Sequence, residues 1–195
     1  MSYSSDEKSV LLAIALESIK SGLDHGKPLR LNIGDYSARL SAQRASFVTL
    51  NHGAALRGCI GTLEARTSLV ESVADNAWAA AFRDPRFAGL TASEVSDLTI
   101  QVSVLSPLKP VMPASEQELL TRMIPGEAGW VLQEDNNRGT FLPAVWSSLA
   151  KPAEFLRQLK IKAGLSPDYW SDSLKIWRYT TESFSAAVAD IPVSA

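Results

Sequence analysis

Residues 47–63 read FVTLNHGAALRGCIGTL, and this stretch decides the fold class. Its first four residues, 47–50, are aromatic, β-branched or aliphatic residues of the kind enriched in strands. Asn51-His52-Gly53 is typical of a turn, and residues 54–63 have the pattern of a returning strand. The sequence therefore predicts a β-hairpin in the first half of the chain.

Helices are predicted on both sides of this hairpin. Ser4 and Glu7 have the spacing of a capping box, and apolar residues recur at helical spacing after them. A second capping box at Ser68 begins another helix, which ends at Asp84 because Pro85 disfavours helical backbone in the residue before it. The hairpin is therefore expected to pack against two amphipathic helices.

The remaining chain continues this mixture of helices and strands. Residues 98–105 read LTIQVSVL, and their alternation of apolar and polar side chains is typical of a half-buried strand. Three prolines then form an extended connection over residues 107–113. Beyond it the pattern predicts two more helices and three more strands, without the regular βαβ order of a parallel sheet.

These elements predict an α+β protein that is a two-lobed single unit over residues 7–184. We expect a mixed or antiparallel sheet flanked by helices, a smaller second lobe, and a lobe boundary near residues 107–113. Residues 185–195 are expected to form a loose C-terminal tail.

Composition restricts the function classes. The chain has 195 residues, and its 19 Lys and Arg against 21 Asp and Glu give a net charge of −2, which argues against a protein that coats nucleic acid. Its single cysteine excludes an intramolecular disulfide and is typical of a reducing compartment. The apolar run at residues 10–16 is too short for a membrane span, and no basic segment precedes it. We therefore expect a cytoplasmic protein with no membrane association and no nucleic-acid partner.

The candidate functional residues lie on the returning strand of the hairpin. Strict alternation would direct Leu56 and Ile60 to the core and place Arg57 and Cys59 together on the opposite face. Cys59 would then be a nucleophile or redox-active group, with Arg57 as the partner of its thiolate or of a substrate anion. The competing interpretation is a packing thiol, because unpaired cysteine is among the most buried residue types.

Two glycines flank Cys59, and both are candidates for ligand binding. Gly58 and Gly61 lack side chains, so they would let a ligand approach the backbone closely. Asp84 and Arg86, after the second helix, are the other candidates: Arg86 as an anion contact and Asp84 as an acceptor at a pocket rim. The alternative for this segment is a helix end with a solvated Arg86.

No cofactor or metal is expected. The two histidines, His25 and His52, each precede a glycine in a predicted turn, and nothing in their spacing favours a catalytic arrangement. One cysteine and two histidines are a poor donor set for zinc. The sequence also has no glycine-rich motif of a dinucleotide or P-loop site.

Together, several motifs resemble the AMMECR domain family over nearly the whole chain. They are LRGCIGT at 56–62, DPRF at 84–87, VSVLSP at 102–107, TFLPAVW at 140–146 and EFLRQLKIKAGL at 154–165. The resemblance implies a two-lobed α+β fold with the LRGCIG strand near the lobe junction. It also implies membership of the bacterial AmmeMemoRadiSam system, whose genes neighbour those of a Memo-type protein and a radical-SAM protein. It implies no established reaction.

Residues and resemblance together lead to two functional hypotheses. The first is an intracellular accessory enzyme or enzyme component that acts with Memo-type and radical-SAM proteins through a cleft centred on Cys59 and Arg57. The alternative is a non-catalytic module that uses the same groove to bind a peptide, a nucleotide, another small molecule or a partner protein.

Overall fold

The computed structural model describes residues 2–192. These form two compact units, one of residues 2–105 with 182–192 and one of residues 106–181. The helices are α1 (Ser5–His25), α2 (Leu69–Phe82), α3 (Glu116–Arg122) and α4 (Pro152–Lys162). The strands are β1 (Ser46–His52), β2 (Ala55–Gly61), β3 (Leu98–Leu105), β4 (Lys109–Val111), β5 (Gly129–Glu134), β6 (Asn137–Phe141), β7 (Lys175–Tyr179) and β8 (Thr181–Ala187). In addition, 3-10 helices span Ile33–Asp35, Ala92–Asp97, Pro143–Ser147 and Val188–Asp190. Among the described residues, no helix combines the length and apolar character that crossing a membrane requires.

The first unit is built on the predicted hairpin. Its sheet has the order β2-β1-β3-β8, and β1 pairs antiparallel with both β2 and β3. The capping boxes at Ser4 and Ser68 are both formed, and they begin α1 and α2 at the predicted residues. Buried residues of these helices form one apolar core with Val48, Leu50 and the inward side chains of β3.

The second unit has its own sheet and its own core. The sheet order is β4-β7-β5-β6, and every pair is antiparallel. Its core includes Trp130, Trp146 and Phe155, and the last two rings are stacked with centroids 3.8 Å apart. The TFLPAVW and EFLRQLKIKAGL motifs therefore supply packing residues here. The predicted α+β class is confirmed, and both sheets are antiparallel.

Strand β2 departs from the predicted alternation at Arg57. Leu50 pairs with Gly58 and Asn51 pairs with Leu56, so Arg57 is an extra residue that forms a β-bulge. A one-residue bulge moves the side chains on its far side to the other face of the sheet. Ile60 packs against the core as predicted, but the inward placement of Leu56 is wrong, since 40% of its surface is exposed.

The C-terminal segment is more ordered than predicted. Residues 185–187 belong to β8 at the edge of the first sheet, and a 3-10 turn follows at Val188–Asp190. Ile191 is buried in the core, with 4% of its surface exposed. The loose tail is therefore wrong for residues 185–191, because pairing with β3 and burial of Ile191 hold this segment. Residues 193–195 lie outside the described part of the chain.

Candidate functional site

Cys59 lies in β2, which is an edge strand of the first sheet. Its side chain is on the face opposite to the buried Val48 and Leu50, directly across from Thr49 in the neighbouring strand. The Thr49 hydroxyl donates a hydrogen bond to Cys59 Sγ at 3.2 Å. The thiol is thus half-buried and directed away from the helix-packed core, as the strand prediction required.

Asp84 and Arg86 bind the backbone of Cys59. The Cys59 N–H donates to Asp84 Oδ2 at 2.8 Å, and Arg86 Nη2 donates to the Cys59 carbonyl oxygen at 3.4 Å. Unpaired N–H and C=O groups are the liability of an edge strand. These two side chains therefore satisfy the groups that a further strand would otherwise pair.

Asp84 and Arg86 also form an ion pair with each other. Asp84 Oδ1 accepts Arg86 Nε at 2.9 Å and Oδ2 accepts Arg86 Nη2 at 2.7 Å, which is the bidentate geometry of the strongest carboxylate pairs. The Asp84 side chain is 2% exposed, whereas that of Arg86 is 53% exposed. The hydrogen bonds from Arg86, followed by those from the backbone, hold the pKa of Asp84 well below its usual range despite burial.

Arg57 is held by a different carboxylate. Arg57 Nε donates to Glu94 Oε1 at 2.7 Å and Nη2 donates to Oε2 at 3.3 Å. Glu94 also accepts the backbone N–H and the hydroxyl of Thr91, each at 2.8 Å. The Arg57 hydrogen bond and then those from Thr91 lower the pKa of Glu94 to about 2.

Arg86 is the arginine whose guanidinium contacts Cys59, through the backbone carbonyl oxygen. The hydrogen bonds to Asp84, with a smaller electrostatic contribution from Cys59, raise the pKa of Arg86. Alternation had predicted Arg57 beside the thiol. The Arg57 side chain binds Glu94, and its guanidinium carbon lies 6.0 Å from the centroid of the Phe87 ring, which the Arg86 guanidinium approaches at 5.4 Å.

Both glycines are required by contacts within the chain. A Cβ at Gly58 would lie 2.1 Å from the Ala80 carbonyl oxygen of α2, so the missing side chain lets the helix approach the strand. A Cβ at Gly61 would lie 2.2 Å from the ring of Phe47, its cross-strand partner. The space beside each of these two glycines, predicted for a ligand, is thus occupied by the protein itself.

Sequence reasoning missed two residues of this site. Thr49 is identified by the hairpin register, which pairs it with Cys59, and so a careful alignment of the two strands could have found it. Glu94 forms a capping box with Thr91, and the spacing of these two residues indicates a helix start but no ion pair. Nothing in the sequence near Arg57 indicates a partner 37 residues away.

Comparison with known proteins places the chain in a family. The AMMECR1 family model matches residues 12–184. The chain belongs to the AMMECR1 family. A relative from Methanothermobacter thermautotrophicus is 33% identical over 183 residues, covering 93% of this chain and 95% of the relative. One from Thermotoga maritima is 33% identical over 172 residues, covering 87% of this chain and 94% of the relative.

A solved structure has the same fold. The crystal structure of an uncharacterized protein from Pyrococcus horikoshii superimposes with a TM-score of 0.82 at 31% sequence identity. The match covers 91% of this chain and 90% of that one. The likeness therefore extends to both units, and the name of that protein assigns no activity.

Proposed function

We propose that this AMMECR1-family protein is an accessory enzyme component that acts with Memo-type and radical-SAM proteins, with Cys59 as its reactive group. Arg86, which contacts the carbonyl oxygen of Cys59, is the partner of the thiolate or of a substrate anion, the role that strand alternation predicts for Arg57. Arg57 is a positioning residue, since it ties the bulge in β2 to Glu94. The observation that carries the proposal is the Asp84–Arg86 pair, which is anchored to both backbone polar groups of Cys59.

The chemistry of this arrangement favours a reactive thiol. The nucleophilic form of cysteine is the thiolate, which nearby cationic groups stabilise. Arg86 supplies a permanent positive charge and is half-exposed, so a substrate anion can also reach it. The Thr49 hydroxyl donates to the sulfur and adds a second stabilising group for negative charge.

A non-catalytic adaptor is the second candidate function. Specific observations favour it: Asp84, Gly58 and Gly61 are all engaged in contacts within the chain. On this hypothesis the motif shapes a rigid edge strand, and the exposed Arg86 with the neighbouring half-buried Cys59 forms a binding surface for a peptide, a nucleotide or a partner protein.

Alkylation of the single cysteine distinguishes the two hypotheses. With a reactive thiol, iodoacetamide adds one carbamidomethyl group to Cys59 of the native protein at pH 7, as read by intact mass. Arg86→Gln should slow this reaction by up to about fivefold, because loss of a contact between unit charges in water is worth at most about 1 kcal/mol. Arg83→Gln is the matched control, because this exposed arginine stacks on Trp78 instead, and its rate should be unchanged.

Absence of alkylation in the native protein would favour the adaptor. A thiol that reacts only after denaturation contradicts the reactive-group hypothesis and leaves the adaptor. Binding of purified Memo-type and radical-SAM proteins to the wild type and to Cys59→Ser then tests the partner assignment. An accessory component must bind at least one of them, so failure of both to bind overturns that part of the proposal.

A further inference from the structure

A groove in the second unit lies outside the Cys59 site. It has a volume of about 480 Å³ and runs between residues 110–114 and residues 170–177. This volume is within the range of small-molecule sites, roughly 300–1,000 Å³. All of the groove's walls belong to residues 106–181, so it is complete within one unit.

The apolar part of the groove lies on one face of the second sheet. Val111 of β4 and Ile176 of β7 both line the groove and are cross-strand partners, and Ile176 is also paired with Leu132 of β5. Cross-strand partners share a face of the sheet. Glu134 is two residues after Leu132 in the same strand, and alternation therefore places it on this face as well.

Glu134 is a buried carboxylate without a cationic partner. The residue is 9% exposed, and its Oε1 accepts a hydrogen bond from Ser173 Oγ at 2.5 Å. Over residues 2–192, Oε2 has no hydrogen-bond partner and Glu134 forms no ion pair. Burial of an ionised carboxylate is costly unless a cation and hydrogen bonds compensate its charge. The buried charge therefore favours a cation close to Ser173.

Two serines extend this hydrogen-bond network to the groove. Ser171 and Ser173 both line the groove, and their hydroxyl oxygens are 2.6 Å apart. Because a carboxylate only accepts, Ser173 Oγ donates its hydrogen to Glu134, and Ser171 Oγ therefore donates to Ser173 Oγ. Ser171 Oγ also accepts the Ser173 N–H at 3.0 Å. Each hydroxyl oxygen keeps one free lone pair and no free hydrogen, so a ligand at these oxygens must be a hydrogen-bond donor.

The other charged side chains of the groove are compatible with a cationic ligand. Asp172 lies between the two serines in the chain and is exposed. Lys175 also lines the groove, but alternation along β7 places it on the sheet face opposite to Ile176 and Glu134. The described residues contain no group of three or more His, Cys, Asp or Glu that could hold a metal ion. These observations favour an organic cation over a metal ion.

We propose that this groove binds a small organic amine. Its ammonium group donates to the free lone pairs of Ser171 and Ser173, roughly 4–5 Å from the Glu134 carboxylate, which is the span of two hydrogen bonds that share one oxygen. Its apolar body packs against Val111 and Ile176. Glu134 is a positioning residue, because it orients both hydroxyl groups and supplies the negative charge without contacting the ligand. This inference is independent of the chemistry at Cys59.

The test compares three probes of similar shape by nitrogen-15 NMR of the full-length protein at pH 7. They are 2-phenylethylamine, which is protonated, 2-phenylethanol, which is neutral, and phenylacetate, which is an anion. We expect the amine to shift the amide signals of the groove residues with a millimolar dissociation constant. The alcohol should bind at least about fivefold more weakly, because it lacks the attraction to the carboxylate. Phenylacetate should cause no shifts.

Charge-removing variants assign the effect to Glu134. Glu134→Gln keeps an acceptor for Ser173 but removes the charge, so it should weaken binding of the amine at least about fivefold and leave binding of the alcohol unchanged. Glu127→Gln is the matched control, since Glu127 is an exposed carboxylate of the same unit outside the groove, and it should leave both affinities unchanged.

A second variant tests the site independently of Glu134. Ser171→Ala removes one of the two acceptor oxygens and should weaken binding of the amine at least about threefold. Thermal unfolding of each variant confirms that it is folded, and Ser171→Ala keeps the proposal testable if Glu134→Gln is not.

Three results would overturn the proposal. The first is the absence of amide shifts in the groove with 2-phenylethylamine at 10 mM. The second is equal affinity for the amine and the alcohol, which would show that positive charge is not recognised. The third is unchanged affinity for the amine in folded Glu134→Gln or folded Ser171→Ala, which would place the ammonium group elsewhere.

Discussion

Replacing Asp84 by asparagine keeps the shape of the side chain but removes a buried negative charge. The carboxylate accepts two backbone N–H groups, from Cys59 at 2.8 Å and from Arg86 at 3.1 Å, as well as the Arg86 guanidinium. An asparagine has one acceptor oxygen, and its amide would face donors. One buried N–H therefore loses its partner, at about 1–3 kcal/mol, and the charge-assisted bonds weaken.

The pair with Arg86 adds less than a fully buried pair, because that guanidinium is 53% exposed. Asp84→Asn should thus lower the free energy of unfolding by about 2–4 kcal/mol. Urea unfolding followed by circular dichroism measures this as a lower midpoint with an unchanged slope. Asp97→Asn is the matched control. The Asp97 side chain is 65% exposed, and its sole ion pair in the described chain is a long contact of 3.8 Å with His52. This substitution should therefore change the free energy of unfolding by less than about 0.5 kcal/mol. A loss below about 1 kcal/mol for Asp84→Asn would refute the reasoning.

The Asp84 carboxylate also makes the free energy of unfolding depend on pH in the acid range. Its pKa is below the usual value in the folded protein, as is that of Glu94 at about 2. The unfolded chain therefore binds more protons than the folded one between about pH 5 and 2. The stabilisation is complete above about pH 5 and is lost as the pH falls. Asp84→Asn should flatten this dependence, and an unchanged slope between about pH 4.5 and 2.5 would contradict the role of Asp84.

Two further predictions test the packing of β2. Gly58→Ala should lower the free energy of unfolding by about 1–3 kcal/mol, because the added methyl group meets the α2 backbone. Gly34→Ala is the control and should be tolerated, because its Cβ would be 3.6 Å from the nearest atom. Leu56→Asp should change stability by less than about 1 kcal/mol, whereas Ile60→Asp, directed to the core, should cost about 2–3 kcal/mol. Urea unfolding measures all four, and equal effects of Leu56→Asp and Ile60→Asp would contradict the bulge at residue 57.

Much of the fold follows from local sequence signals. The capping boxes at Ser4 and Ser68 place the starts of α1 and α2, since a cap depends on residues only three positions apart. The alternation over residues 98–105 identifies β3, and the turn residues around Gly53 identify the hairpin, for the same reason, although β1 continues through His52. The C-terminal strand was missed because its residues, TESFSAA, are mostly polar or small and are held by pairing with β3.

The candidate site likewise has features that follow from local sequence and features that depend on tertiary contacts. The sequence by itself determined that the chain is an α+β protein of this family and that Cys59 lies on a hairpin strand, since motif and hairpin are contiguous. Only the tertiary structure decided which side chains contact the backbone of Cys59 and which carboxylate binds Arg57. Asp84 meets Cys59 across 25 residues and Glu94 meets Arg57 across 37. Such contacts depend on how α2 and the segment after it pack against the sheet edge, and on the position of the bulge in β2. Neither property is encoded in the spacing of neighbouring residues, because both arise from packing between distant parts of the chain.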